Sequence, residues 1–333
     1  MKSRKGAMFL LVSRPSLADK PAMPQSNSRT LRLGTRGSKL ALVQAEMVRS
    51  GLAAKGFSGV EIVVLKTSGD RIQDKSLADS GGKGLFTKEL EEALLDERID
   101  LAVHSMKDVP VAIPAGLAIS ALLPREDPRD AFISNSAKTL VDLPKGAAFG
   151  TSSVRRHAQV ARVRPDLAIK LLRGNVDTRL AKLDAKEFDG MLLAVAGLKR
   201  LGLEKRITSY LDTKDWLPAL AQGAVGIEIR ETDTHAREIT SQLNDLTTEV
   251  VLNCERAFQF ALDGSCRTSI GGLATFENNV LRFRGEVLAP DGSDFAQTSF
   301  EKNLGHDPRN HAEQLGRELG EALKPRVKQW LAL

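Results

Sequence analysis

Three short turns gather basic and hydroxyl side chains in a way that suits the capture of acidic groups. In Gly150-Thr-Ser-Ser-Val-Arg-Arg156 the hydroxyls of Thr151, Ser152 and Ser153 can cap the helix that follows, and Arg155 and Arg156 fall in its first turn. Helix N-termini already carry partial positive charge, so each added cation there costs about 0.3–1 kcal/mol. Either the pair is a solvated basic face, or an anion binds between the two side chains. Free N–H groups and two guanidinium forks favour the second reading, with a carboxylate or phosphate as the anion. The same order of strand, glycine and helix start recurs in Leu172-Arg-Gly-Asn-Val-Asp-Thr-Arg179, which holds Arg173 and Arg179. It recurs again as a strand-to-helix turn in Gly34-Thr-Arg-Gly-Ser38, which holds Arg36 and Ser38. Three basic turns in one chain point to a ligand with several acidic groups.

A second kind of chemistry is offered by Leu101-Ala-Val-His-Ser-Met-Lys-Asp-Val-Pro110, where His104, Ser105, Lys107 and Asp108 follow an apolar run. Ligands of open α/β sheets bind beyond the carboxyl ends of strands, which makes Asp108 a candidate acid or base. Its alternative is a turn residue ahead of Val-Pro. Lys107 either tunes Asp108 or points into water, and His104 reads as a satisfied core or loop histidine rather than a catalyst. Gly81-Gly-Lys-Gly84 lacks the frame of a phosphate-binding loop, but glycines around Lys83, leading into a helix with Phe86, suit a mobile lid. Cys266 lies in a glycine-flanked stretch, Leu262-Asp-Gly-Ser-Cys-Arg-Thr-Ser-Ile-Gly-Gly272, where a ligand can reach the thiol or a small side chain is simply required. Cys254, inside the apolar run Val250 to Leu262, reads as a packing residue.

These turns need a scaffold, and the hydrophobic pattern supplies one. From Leu31 onward short apolar runs alternate with helical spacing, the rhythm of βαβ units around a sheet. Strands are expected at 31–33, 61–66 and 101–103, with helices through Leu40 to Val48 and Phe86 to Leu94. A polar link, Pro124-Arg-Glu-Asp-Pro128, leads to a second region. There the pattern predicts strands at 147–150, 169–172 and 191–195, and helices at 153–164 and 176–183. A third region opens near Thr247, with a helix at 250–262, a strand at 281–288 and a C-terminal helix.

The chain's 333 residues suffice for two or three domains. Its 42% hydrophobic and 27% charged composition excludes collagen, coiled coil and wholesale disorder. No run of 18 apolar residues occurs, so no membrane-spanning helix is expected. The net charge of +6 sits mostly in residues 1–30, where six basic side chains face one acid. The remainder is close to neutral and poor in aromatics, which argues against nucleic acid as a partner. Two cysteines form neither a disulfide framework nor a zinc site, and a reducing compartment is expected.

Six segments, taken together and in order, resemble the porphobilinogen deaminase family: Thr35-Arg-Gly-Ser-Lys-Leu-Ala41, Gly81-Gly-Lys-Gly-Leu-Phe86, Val103-His-Ser-Met-Lys-Asp-Val-Pro110, Gly150-Thr-Ser-Ser-Val-Arg-Arg156, Arg173-Gly-Asn-Val-Asp-Thr-Arg179 and Leu262-Asp-Gly-Ser-Cys266. The resemblance implies an α/β fold of three domains, the first two like the lobes of type II periplasmic binding proteins and the third a smaller α+β unit. Its boundaries would be a disordered extension at 1–29, a first domain of 30–124 plus 223–243, a second of 129–218 and a third of 246–333. It implies a transferase that joins four porphobilinogen units head to tail, releasing ammonia, to give hydroxymethylbilane. A dipyrromethane cofactor, bound by a thioether to Cys266, would serve as primer.

By motif match, Arg36, Ser38, Lys83, Phe86, Ser105, Lys107, Thr151, Ser153, Arg155, Arg156, Arg173, Arg179, Arg200 and Gln222 would hold cofactor or substrate. Asp108 would face the pyrrole nitrogens and stabilise the cation formed as ammonia leaves. The partners implied are the small molecule porphobilinogen, with no nucleic acid and no membrane, for a cytoplasmic monomer; an organellar address for the basic extension is the alternative. Ser265 stands where many relatives have a second glycine, a change that leaves the thiol in place. A solute-binding module is the competing class, and it would have no need of Cys266.

Overall fold

The structure is a computed structural model that describes residues 29–68, 84–262 and 268–331. The expected extension up to residue 28, Lys83 and Cys266 lie outside the described residues.

The first lobe is a five-stranded sheet of β1 (Leu31–Arg36), β2 (Val60–Leu65), β3 (Leu101–Ser105), β4 (Leu117–Leu122) and β10 (Val225–Arg230). The strand order is β2-β1-β3-β10-β4. Helices α1 (Lys39–Ala54), α2 (Lys88–Leu95) and α6 (Thr234–Ser241) pack on it through side chains such as Val48, Leu52, Leu90, Leu94 and Ile239.

The second lobe repeats the plan with β5 (Asp130–Ile133), β6 (Ala148–Thr151), β7 (Ala168–Leu171), β8 (Gly190–Ala194) and β9 (Ser209–Tyr210), in the order β7-β6-β8-β5-β9. Its helices are α3 (Val154–Val163), α4 (Val176–Asp184) and α5 (Val195–Arg200). In each sheet one strand runs antiparallel between two neighbours: β10 between β3 and β4, and β5 between β8 and β9. Strand β5 follows directly on the first crossing between lobes and β10 on the second, so each returning strand enters its sheet from the crossing side. The two crossings touch at Gly223, whose backbone sits at φ +92° and where any side chain would collide with the Glu126 carbonyl.

The third unit pairs α7 (Leu246–Ala261) and α8 (Pro308–Val327) against the antiparallel sheet β11 (Ile270–Glu277), β12 (Val280–Leu288) and β13 (Phe295–Asn303). Helix α8 lies so close to α7 that a side chain at Gly316 would strike the Cys254 carbonyl.

Two local expectations change. Strand β1 continues through Arg36, paired residue for residue with β2 from Leu31 to Arg36, so Gly34 to Arg36 belong to the sheet and only Gly37 and Ser38 form the turn. The helix expected at 250–262 starts at Leu246, because the Asp245 carboxylate accepts from the Thr248 N–H at 2.7 Å and caps it one turn earlier.

Candidate active site

The basic turns fall where the scaffold puts them, at the carboxyl ends of the parallel strands of both lobes. Arg36 ends β1, and its guanidinium lies 4.2 Å from the centre of the Phe86 ring, a cation–π contact. Ser38 caps α1, its Oγ accepting from Ala41 N at 3.3 Å. Ser105 ends β3 and accepts at Oγ from Gln44 Nε2 at 2.8 Å. Lys107 and Asp108 follow in the single 3-10 turn Met106–Asp108, both exposed.

Facing them, Thr151 ends β6 and accepts at Oγ1 from Ser153 N at 3.1 Å, while Ser153 caps α3, its Oγ accepting from Arg156 N at 3.4 Å. Arg173 is buried after β7, and Arg179 donates from Nε to Gly174 O at 2.8 Å. Lys39 Nζ and Asp177 Oδ2, 2.9 Å apart, join the helix start after Arg36 to the helix start after Arg173 across the two lobes.

Part of the anion expected between Arg155 and Arg156 is internal. Asp130, at the start of β5, accepts from Arg155 Nη2 at 2.9 Å and from Arg156 Nη2 at 2.6 Å. It also accepts from Trp216 Nε1 at 3.0 Å and Gln222 Nε2 at 2.8 Å. Burial alone would raise its pKa, but the two guanidinium charges outweigh burial and hold the carboxyl far below the usual carboxylate range. Nothing in the sequence singled out Asp130, because its partners lie over 20 residues away in the chain. Gln222 reaches the same cluster from the second crossing, donating to Pro128 O at 2.8 Å and accepting from Lys107 Nζ at 3.4 Å. Arg200 turns to the crossing as well, donating from Nη2 to Gly223 O at 2.7 Å.

Electrostatics tie the two walls together. Part of the Lys107 side chain stays open to water, yet the lobes around it strip hydration from the ammonium and push its pKa down to about 8. Asp108 and Asp130 oppose that shift, and Arg156 and Arg155 add to it. Burial likewise lowers Arg179 to about 10, with Arg156 and Arg173 adding to the shift and Asp108 opposing it. Lys107, Asp108, Arg155, Arg156, Arg173 and Arg179 therefore feel one another across the cleft. His104 stays out of it: the ring is buried, with Nε2 2.9 Å from Glu228 Oε2, the satisfied core histidine expected. Cys254 is a buried free thiol, as expected of a packing residue.

The family model described as porphobilinogen deaminase, dipyromethane cofactor binding domain, matches residues 31–238, and that of the porphobilinogen deaminase C-terminal domain matches 250–325. The chain belongs to the porphobilinogen deaminase family. A curated porphobilinogen deaminase of Nitrobacter hamburgensis is 50% identical over 298 residues, covering 89% of this chain and 93% of that protein. Among solved structures, a periplasmic substrate-binding protein of an ABC transporter from Coxiella burnetii aligns over 66% of this chain and 93% of its own, at 13% identity and a TM-score of 0.42. The methionine-binding protein MetQ aligns over 64% and 89%, at 14% identity and the same TM-score. Both likenesses are too loose to bear on chemistry.

Membership in the porphobilinogen deaminase family brings its reaction, the condensation of porphobilinogen with loss of ammonia, and its dipyrromethane cofactor. The donor set fits that group. Among the described residues Lys107, Arg155, Arg156, Arg173 and Arg179 outnumber the carboxylates of Asp108 and Asp130, a balance that suits a molecule of two pyrroles with an acetate and a propionate on each.

Proposed function

We propose that the cleft between the lobes grips the carboxylates of cofactor and growing chain with Arg36, Ser38, Lys83, Thr151, Ser153, Arg155, Arg156, Arg173 and Arg179, and that Asp108 does the proton chemistry. Phe86, Ser105, Lys107, Arg200 and Gln222 complete the wall. The observation that carries this reading is the placement of Asp108. Its negative charge acts on Lys107 from its own lobe and on Arg179 from the opposite one.

Bound through a thioether at Cys266, the dipyrromethane supplies a nucleophilic pyrrole carbon and is not itself consumed. Asp108 steadies the positive charge that spreads onto the pyrrole nitrogen of porphobilinogen as the aminomethyl C–N bond breaks and ammonia leaves, and then accepts the ring proton displaced when the new carbon–carbon bond forms. The arginines keep the reacting rings in place through carboxylates remote from the bond being made. Positive charge packed this closely favours each incoming acidic unit, and every added unit neutralises more of it.

Two cysteines in 333 residues, too few for a disulfide framework, support a reducing, cytoplasmic setting. Asp108→Asn keeps the shape of the side chain and removes its charge; the variant should fold and carry cofactor while losing most turnover. Near-normal turnover would refute the assignment. Intact-mass measurement tests the anchor: an adduct of dipyrromethane size should map to the peptide holding Cys266 and be absent from Cys266→Ser.

A further inference from the structure

Neighbouring residues of α7 reach out of the third unit into the first lobe. Arg256 is 1% exposed. Its Nη1 donates to Val109 O at 3.1 Å, and its Nη2 donates to Pro110 O at 2.6 Å and Val111 O at 3.3 Å. These are the three carbonyls that follow Asp108. On the other flank, β3 leads into Asp108 through His104, whose ring contacts Glu228. The Glu228 charge in turn acts on Arg256, so one buried guanidinium senses both ends of the segment.

The segment needs an outside hold. The turn Met106–Asp108 closes on a single backbone bond, from Val109 N to Met106 O at 3.3 Å, and Asp108 itself is exposed. A buried guanidinium is a poor way to gain stability, since an apolar side chain of similar size does as well or better. Its planar fork is a good way to fix the direction of a loop. Burial lowers the Arg256 pKa to about 10, against the attraction of Glu228, so it keeps its charge at neutral pH.

We propose that Arg256 is a positioning residue for the condensation: by holding the carbonyls of Val109, Pro110 and Val111 it keeps the Asp108 carboxylate aimed between Lys107 and Arg179. This rests on the reading of Asp108 given above. It gives the third unit a part in catalysis beyond carrying the cofactor, because α7 both grips the turn and leads, past Leu262, toward Cys266 in the sequence.

Arg256→Lys in the cofactor-loaded enzyme tests it, since an ammonium keeps the charge and cannot span three carbonyls. Turnover should fall about tenfold, with the KM for porphobilinogen within about twofold and the cofactor mass unchanged. In an Asp108→Asn background, followed in single turnovers, the same change should cost less than about twofold. A purely structural arginine predicts otherwise: a lower unfolding midpoint with normal turnover of the folded protein, or an equal loss in both backgrounds. Either result overturns the proposal while leaving Asp108 in its role. An active Asp108→Asn enzyme removes the Asp108 reading first and this one with it. If Arg256→Lys does not accumulate as folded protein, Arg256→Gln carries the same outcomes.

Discussion

Arg125 and Glu255 meet in a two-pronged ion pair, Nη1 to Oε1 at 2.7 Å and Nη2 to Oε2 at 3.1 Å, between the first crossing and helix α7. The same carboxylate accepts from Ala221 N of the second crossing at 2.6 Å and from Ala274 N of β11 at 2.8 Å. One fully buried side chain thus fastens both crossings and the third sheet together. Glu255→Ala strands a buried guanidinium and two buried N–H groups, and should lower folding stability by about 3–5 kcal/mol. The shift of the urea unfolding midpoint checks this; a change under about 1 kcal/mol would show that the pair contributes little.

Asp130 is the corresponding fastener at the candidate site. Asp130→Asn leaves Arg155 and Arg156 facing each other with no charge between them, so both should turn away from their present aim. Stability should fall by about 3–5 kcal/mol and kcat/KM for porphobilinogen by at least about tenfold. Steady-state kinetics at a temperature where the variant is folded separates the two effects.

Lys107 gives the reaction a pH limit with a definite sign. Its ammonium titrates at about 8 in the folded protein and higher in the unfolded chain. Between those values the unfolded chain binds the extra proton, and this group makes the protein more stable as pH rises. Function moves the other way, because the cleft loses a positive charge as pH passes 8. The kcat/KM profile should fall on its alkaline side near that pH, and Lys107→Met should abolish that limb while raising KM. An unchanged alkaline limb in Lys107→Met would assign it to another group.

The Lys39–Asp177 pair lies at the surface, so its loss should change stability by less than about 1 kcal/mol. It spans the lobes beside two of the turns proposed to hold substrate, and its effect is expected in binding. Lys39→Asp should raise the KM for porphobilinogen about two- to fivefold at low salt, and less at 0.5 M salt, where screening shortens the reach of charge. The swap Lys39→Asp with Asp177→Lys should restore it.

Much of this was legible in the sequence, for reasons that differ from residue to residue. Strands such as β3 and helices such as α3 declare themselves through local periodicity and local caps. Arg155, Arg156 and Arg173 stood out because their charges sit awkwardly at helix starts. Asp130 and Arg256 did not, since an aspartate just past a polar link and an arginine in an apolar helix acquire meaning only from partners brought up by topology. The chain before Ser38 also misled: a glycine and a threonine before Arg36 read as a turn, while pairing with β2 keeps them extended.

The strand exchange at the crossings has a consequence for synthesis. Among the described residues, β10 is the one strand that pairs with β4 in the first sheet. About a hundred residues, including the entire second lobe, leave the ribosome between Leu122 and Val225. The nascent first lobe therefore waits with an edge open for some 5–20 seconds at ordinary elongation rates, while the second lobe, continuous in sequence, can close at once. Folding order during translation should be second lobe before first, and a ribosome stalled just short of β10 should expose a β4 that proteases and chaperones can still reach.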